Sequence, residues 1–188
     1  MFTKMVAQVK PKQKTEILEE VTIPANVQVE IKADIIQVKG PKGALKKSFS
    51  YPNILVQKSD NTIIIKCIAS SKKEKAIIGS FVAHLKNMFK GVTEGFKMKL
   101  KIVFSHFPIT TKVVGNNLEI LNFLGEKSPR CAKIHGNVKV SVGKEEIIVE
   151  GINIEEVGQI AANIEQATRV RYRDPRIFQD GIYLVSTE

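Results

Sequence analysis

Two stretches of this chain carry the same order of patterns at an offset of roughly 82 to 84 residues, and no other feature constrains the fold as much. In the first stretch Val27, Val29 and Ile31 alternate as a strand, Ile35 to Lys39 reads as another, and Gly40-Pro41-Lys42-Gly43 turns the chain. Ile54 to Val56 and Thr62 to Ile68 flank the hairpin turn Ser59-Asp60-Asn61. Ser71-Lys72-Lys73-Glu74 then has the Ser-x-x-Glu spacing of a capping box and opens a helix. Its apolar face runs through Ile77, Phe81, Leu85 and Met88, and Gly91 is placed to end it in the left-handed conformation.

The second stretch repeats the order. Thr111 to Val114, the turn Gly115-Asn116-Asn117, Leu118 to Leu124, the alternation of Val138, Val140 and Val142, and Glu146 to Val149 precede a helix. Asn153 with Glu156 caps that helix, and Val157, Ile160, Ala161, Ile164 and Thr168 form a stripe of small side chains suited to close packing on a sheet. The expected fold class is therefore α+β: two homologous small domains made by internal duplication, each an antiparallel-type sheet packed with one main helix. The expected boundaries are an N-terminal extension over 1–15, a first repeat over 16–95, and a second over 96–188 that ends in a basic tail. Phe96, Met98, Leu100 and Ile102 alternate across the junction, so the connection reads as a strand rather than a linker.

With 43% hydrophobic residues in 188, both cores can be filled. No apolar run approaches the length of a membrane-spanning helix, and Met1 to Lys14 lacks the apolar centre of a signal peptide. The expectation is a soluble, cytoplasmic protein with no membrane partner. Cys67 and Cys131 have no motif spacing, which argues against a disulfide framework or a zinc ribbon, and Cys67 reads as core.

Lysine and arginine number 29 against 19 acids, a net charge of +10, so the default partner is a polyanion. By sum the first half is the basic one: residues 1–97 hold 17 cationic side chains against 8 acids, and residues 98–188 hold 12 against 11. The second half segregates its charge instead. Lys127, Arg130, Lys133, Lys139 and Lys144 come early, the acids concentrate between Glu145 and Glu165, and arginines return at Arg169, Arg171, Arg173 and Arg176. A solvated helix C-terminus, where cations are favoured anyway, accounts for Arg169 alone. Four arginines within eight residues, with Tyr172 and Phe178 interleaved and Pro175 fixing the chain direction, fit better a segment laid along an RNA backbone. Tyr172 can stack on a base, but packing beneath the tail is its favoured use. Lys42, at the tip of a hairpin rather than in a phosphate loop, is a further candidate phosphate contact. Lys72, Lys73 and Lys75 open a helix against its dipole, and are either solvated or offset by a negative partner.

Catalysis finds no support. His84, His106 and His135 are far apart in sequence and outside any ligand spacing, so no metal is assigned, and His84 reads as structural. Glu155 and Glu156 imitate paired carboxylates, but their place in a first helical turn is explained by the dipole, at roughly 0.3 to 1 kcal/mol each. No nucleophile has a partner base, and no cofactor is implied.

Six ordered segments, VKGPKG, HLKNMFKGVTEGF, HFPI, NFLGEK, EEIIVEGINIEEVGQIAANIEQAT and DPRIFQDGIYL, closely resemble the universal large-subunit ribosomal protein six family, numbered nine in eukaryotes. The resemblance spans about Thr22 to Leu184, and HFPI, NFLGEK and the DGIY ending are similar to its eukaryotic and archaeal branch. It implies a non-enzymatic component of the cytoplasmic large subunit, near the sarcin-ricin loop and the stalk base. The implied partners are large-subunit rRNA, neighbouring ribosomal proteins and translation factors. It also implies that Arg130, Lys133, Arg169, Arg171 and Arg173 of the second domain supply much of the rRNA contact, against the simple charge count. The chain departs from the family in the extension over Met1 to about Lys14, in having no tryptophan, and in Pro175 after Asp174. Two other readings of the same surface are a free regulatory RNA-binding protein and a protein-interaction scaffold docking through Glu145 to Glu165.

Overall fold

The structure is a computed structural model that describes residues 17–187 apart from 33, 53, 68–71 and 175. The N-terminal extension, the expected capping residue Ser71, and Pro175 lie outside the described residues.

The first repeat comprises β1 (Ile17–Thr22), β2 (Gln28–Lys32), β3 (Ile35–Gly40), β4 (Gly43–Ser48), β5 (Ile54–Ser59), β6 (Thr62–Cys67) and the helix α1 (Lys72–Thr93). The second comprises β7 (Phe96–Val103), β8 (Thr110–Val114), β9 (Asn117–Leu121), β10 (Arg130–Lys133), β11 (Lys139–Val142), β12 (Glu146–Gly151), α2 (Ile154–Ala167) and β13 (Gly181–Thr187). Counterparts keep the offset expected from the sequence: Gln28 and Thr110 open β2 and β8, 82 positions apart, and Thr62 and Glu146 open β6 and β12, 84 apart.

Strand order repeats as well. One sheet runs β1-β6-β5 and its counterpart runs β7-β12-β11; the other runs β2-β3-β4 and its counterpart β8-β9-β10, every pairing antiparallel. The copies differ by β13, which adds to the free side of β7 and makes that sheet four-stranded. The expected α+β architecture is present, with an apolar core for each repeat.

Alternation decides which strand face is buried. In β6, Ile63, Ile65 and Cys67 point inward, and in β7 Phe96, Met98, Leu100 and Ile102 do, as the period of two requires. Ile147 and Val149 of β12 meet Val157, Ile160 and Ile164 of α2, and full burial of each such side chain is worth about 1.5–3 kcal/mol. Asn153 caps α2 as expected, its side chain accepting from the Glu155 backbone N–H at 3.1 Å.

Four readings change. The α1 stripe is rotated: Leu85 and Met88 are buried, Ile77 and Phe81 only partly, and the deep line runs Ile78, Leu85, Phe89 and Val92. Gly91 does not end that helix. It lies inside α1, where an added Cβ would collide with the Ile152 carbonyl oxygen, and Gly95, at φ +77°, makes the left-handed exit. Residues 122–124 leave the expected strand for a short turn over Phe123–Gly125. The tail is not a free basic segment throughout, because its last residues are β13, with Ile182 fully buried.

Among the described residues the repeats meet around Ile152 and through an ion pair beside it. Ile152, between β12 and α2, packs on the first core, with its carbonyl against Gly91. Nearby, Lys47 of β4 forms an ion pair with Glu155 of α2, and His84 of α1 sits 3.1 Å from the Lys47 ammonium and 3.3 Å from the Glu155 carboxylate. His84 is thus a polar partner at the joint, and Glu155 pairs across it as well as occupying the first turn of α2.

Candidate nucleic-acid interface

Helix α2 stops at Thr168, and this residue closes a loop. Its buried hydroxyl donates to the Glu165 carbonyl at 3.1 Å and accepts the Ile182 backbone N–H at 3.1 Å, so the chain leaves and returns at one point. The residues between form an Ω-like loop, with its ends tied and its own side chains packing it. Arg169, Arg171, Tyr172, Arg173 and Arg176 are all exposed on it.

Three braces hold that loop. Arg130, at the start of β10, donates through Nη1 to the carbonyls of Ala167 and Arg169, both at 3.0 Å. Its Nε and Nη2 donate to the two oxygens of Glu126 at 2.8 and 2.6 Å, and its plane lies 4.3 Å from the Phe123 ring centroid. The hydrogen bond from Arg130 lowers the Glu126 pKa; burial opposes this, and the charges of Arg130 and Arg173 add to it. Asp174 makes the second brace: its side chain accepts the Arg176 N–H at 2.9 Å, and its carbonyl accepts from Phe178 at 3.0 Å. Phe178 is the third, between the stacked His106 ring at 4.7 Å and the Arg173 guanidinium at 4.8 Å.

Beneath the loop, buried Asp180 accepts from the backbone and hydroxyl of Ser105 and from the backbone N–H and Nδ1 of His106, the last at 2.6 Å. Burial pushes the Asp180 carboxyl up, but these donors outweigh it and leave the pKa lowered. Ser105, His106 and Asp180 do not form a nucleophile-base relay. Hydroxyl and carboxylate both lie on Nδ1 of His106, whereas a relay needs one on each ring nitrogen. Among the described residues no group of three or more His, Cys, Asp or Glu could hold a metal ion, and no helix is long and apolar enough to cross a membrane.

The candidate residues therefore separate by use. Arg169, Arg171 and Arg176 are exposed, and within the described residues their side chains make no hydrogen bond or ion pair. Arg171 shares an open groove with Arg130, Cys131, Gln166 and Ala167. Lys127 precedes β10 and Lys133 ends it, and both are exposed. Arg173 is exposed but also packs on Phe178. Arg130 spends most of its donors inside the protein, so it positions the loop instead of presenting a free fork. Lys42 lies apart at the β3–β4 tip, its ammonium donating to the Glu94 carbonyl just past the end of α1. Tyr172 does not pack under the tail, since its ring is fully exposed.

β7 also carries a row of outward lysines, two of them opposite Glu146 and Glu150 of β12. Lys97, Lys99 and Lys101 alternate along β7 opposite its buried side chains, with Lys97 paired to Glu150 at 3.2 Å. The alternation that marks the buried face fixes the outward one too, so the signal is present in the sequence.

Fold and loop together define a duplicated α+β protein with a cationic loop braced from within. The chain belongs to the ribosomal protein L6 family, whose model matches residues 23–95 and 107–181, one segment in each repeat. It is 50% identical to a large ribosomal subunit protein uL6 from Methanosarcina mazei over 170 residues, 90% of this chain and 97% of the relative. The uL6 proteins of Desulfurococcus amylolyticus and Sulfurisphaera tokodaii are 50% and 47% identical over 171 and 173 residues, covering 89% and 92% of this chain and 93% of each relative.

Proposed function

We propose that this chain is a structural constituent of the large ribosomal subunit in the cytoplasm, binding large-subunit rRNA and neighbouring ribosomal proteins and supporting translation near the factor-binding region. The observation that carries the reading is relatedness along both repeats to proteins named for that subunit. The braced loop supplies a mechanism. Arg169, Arg171, Arg173 and Arg176 of the loop, together with the exposed Lys127 and Lys133, neutralise phosphates and release counterions while two packed cores hold their spacing. Arg130 contributes by fixing the loop, and Lys42 contributes at most its spare donors at the joint. The repeats over 16–95 and 96–188 act as the two rigid units and 1–15 as an extension. The protein acts without catalysis, metal or cofactor, and translation factors are partners at the nearby stalk base.

The test is binding of purified large-subunit rRNA as a function of salt. Changing Arg169, Arg171 and Arg173 together to alanine leaves the fold intact, weakens binding, and reduces the slope of log affinity against log salt by about 0.7 to 0.9 for each phosphate no longer neutralised. Unchanged affinity and slope would remove these residues from the interface. Co-sedimentation with large subunits after a high-salt wash separates a stoichiometric component from a transient RNA-binding protein.

A further inference from the structure

Among the described residues Tyr172 is the most exposed large hydrophobic side chain, at 103% of its reference area, and its backbone lies in the left-handed region at φ 59°. That conformation suits glycine or asparagine; for a bulky aromatic residue it is strained, and it persists only where the surroundings impose it. Here they do. Arg130 holds the carbonyls of Ala167 and Arg169 on one side, and the Asp174 turn with the Phe178 stack holds the other. The ring gains no packing in return, and among the described residues its hydroxyl has no hydrogen-bond partner. The folded protein alone gives no reason for an aromatic at this position.

We propose that Tyr172 is a stacking platform for an unpaired nucleobase of the bound RNA, a role that rests on the rRNA-binding reading above. Its neighbours select the ligand class. Arg171 and Arg173 flank it in the chain and Arg169 precedes them, so a ligand on the ring meets cations on both sides and is favoured when it carries anionic groups beside a flat face. A single-stranded nucleotide offers both a flat π-face and adjoining phosphates, and stacking on a protein aromatic is a main source of affinity for unpaired bases. Because the loop is already braced, little ordering accompanies binding, which favours a fixed ring over a mobile one.

The full chain and the purified large-subunit rRNA of Methanosarcina mazei provide the test. Tyr172→Gly relieves the backbone and removes the ring; Tyr172→Trp keeps a platform and introduces the chain's only tryptophan. The glycine variant is expected to bind about 10-fold more weakly with an unchanged salt slope, since every arginine and lysine that neutralises a phosphate is still in place. The tryptophan variant is expected to bind like the original, with emission quenched and shielded from acrylamide at saturating rRNA. Equal binding by the glycine variant, or tryptophan emission indifferent to rRNA, overturns the stacking role while leaving phosphate binding standing. Emission that changes only when ribosomal proteins are added overturns it in favour of a protein cover. Failure of the unmodified chain to bind rRNA overturns the parent reading and this one with it.

Discussion

Gly79 and Gly91 lie in the same helix and answer a methyl group in opposite ways. Around Gly79 nothing lies within 4 Å of an added Cβ, so Gly79→Ala is expected to stabilise the protein by about 0.5–1 kcal/mol through backbone entropy and helix propensity. At Gly91 the same change sets a Cβ against the Ile152 carbonyl, a backbone atom of the other repeat that cannot rotate away. Its expected cost is about 2–3 kcal/mol despite alanine's better propensity. Urea unfolding of both variants checks the pair; equal shifts would mean that the repeats do not approach at Gly91. Residue identity alone cannot separate these glycines, because the deciding atom is far along the chain. Tyr172 shows the same limit. Its sequence neighbours announce an anion site, but only the tied loop shows that the ring stays outside.

At the scale of elements, the junction between the loop over 104–107 and β13 depends on one carboxylate. Asp180 gathers donors from Ser105 and His106 where the chain enters β13. Asp180→Asn is expected to lower stability at pH 7 by about 1–3 kcal/mol, since a charged acceptor of several bonds is removed. The folded pKa is depressed, so the stabilisation is fully present above the unfolded value near 4 and disappears as pH falls through the folded value. The gap between wild type and variant should therefore narrow below about pH 4, which denaturant melts at stepped pH would show. A gap that stays constant into acid would remove the charge from the explanation. Helix α2 is legible because its cap and stripe are local. By contrast β10 has only four residues, and β13 follows an arginine-rich loop that reads as tail; both owe their existence to partners, β9 and β7, elsewhere in the chain. The bracing role of Arg130 is hidden for the same reason, since the Ala167 and Arg169 carbonyls that it holds are distant in sequence.

For the whole molecule, two similar units must keep a fixed relation if their basic faces are to meet one RNA surface. The Lys47 and Glu155 pair, with His84 alongside, crosses the joint, and the hydrogen bond from Lys47 holds the Glu155 carboxyl below its usual pKa against the opposing effect of burial. Lys47→Glu would set two carboxylates against each other there. Each repeat should then retain its own hydrogen-exchange protection, while NMR residual dipolar couplings from the two repeats cease to fit one alignment tensor. A single tensor with unchanged order would show that Ile152 packing alone fixes the joint. The overall charge of +10 gives the sign of the partner, but the balance between halves does not give its place. The exposed loop lies in the half that is nearly neutral by sum.

The duplication, the α+β class, the capped second helix, the anionic character of the partner and the family can all be read from the order of residues. The first four follow from repetition, periodicity, local spacing or composition, which are properties of neighbouring residues and of the chain as a sum, and the family follows from the six ordered segments that resemble it. Folding was needed to decide that β13 completes the second sheet, that Gly91 is a contact point, and that Arg130 braces while Arg169 and Arg171 remain free. These depend on which distant atoms arrive at a given side chain, and a cation beside a carbonyl has the same letter in the sequence as one facing water.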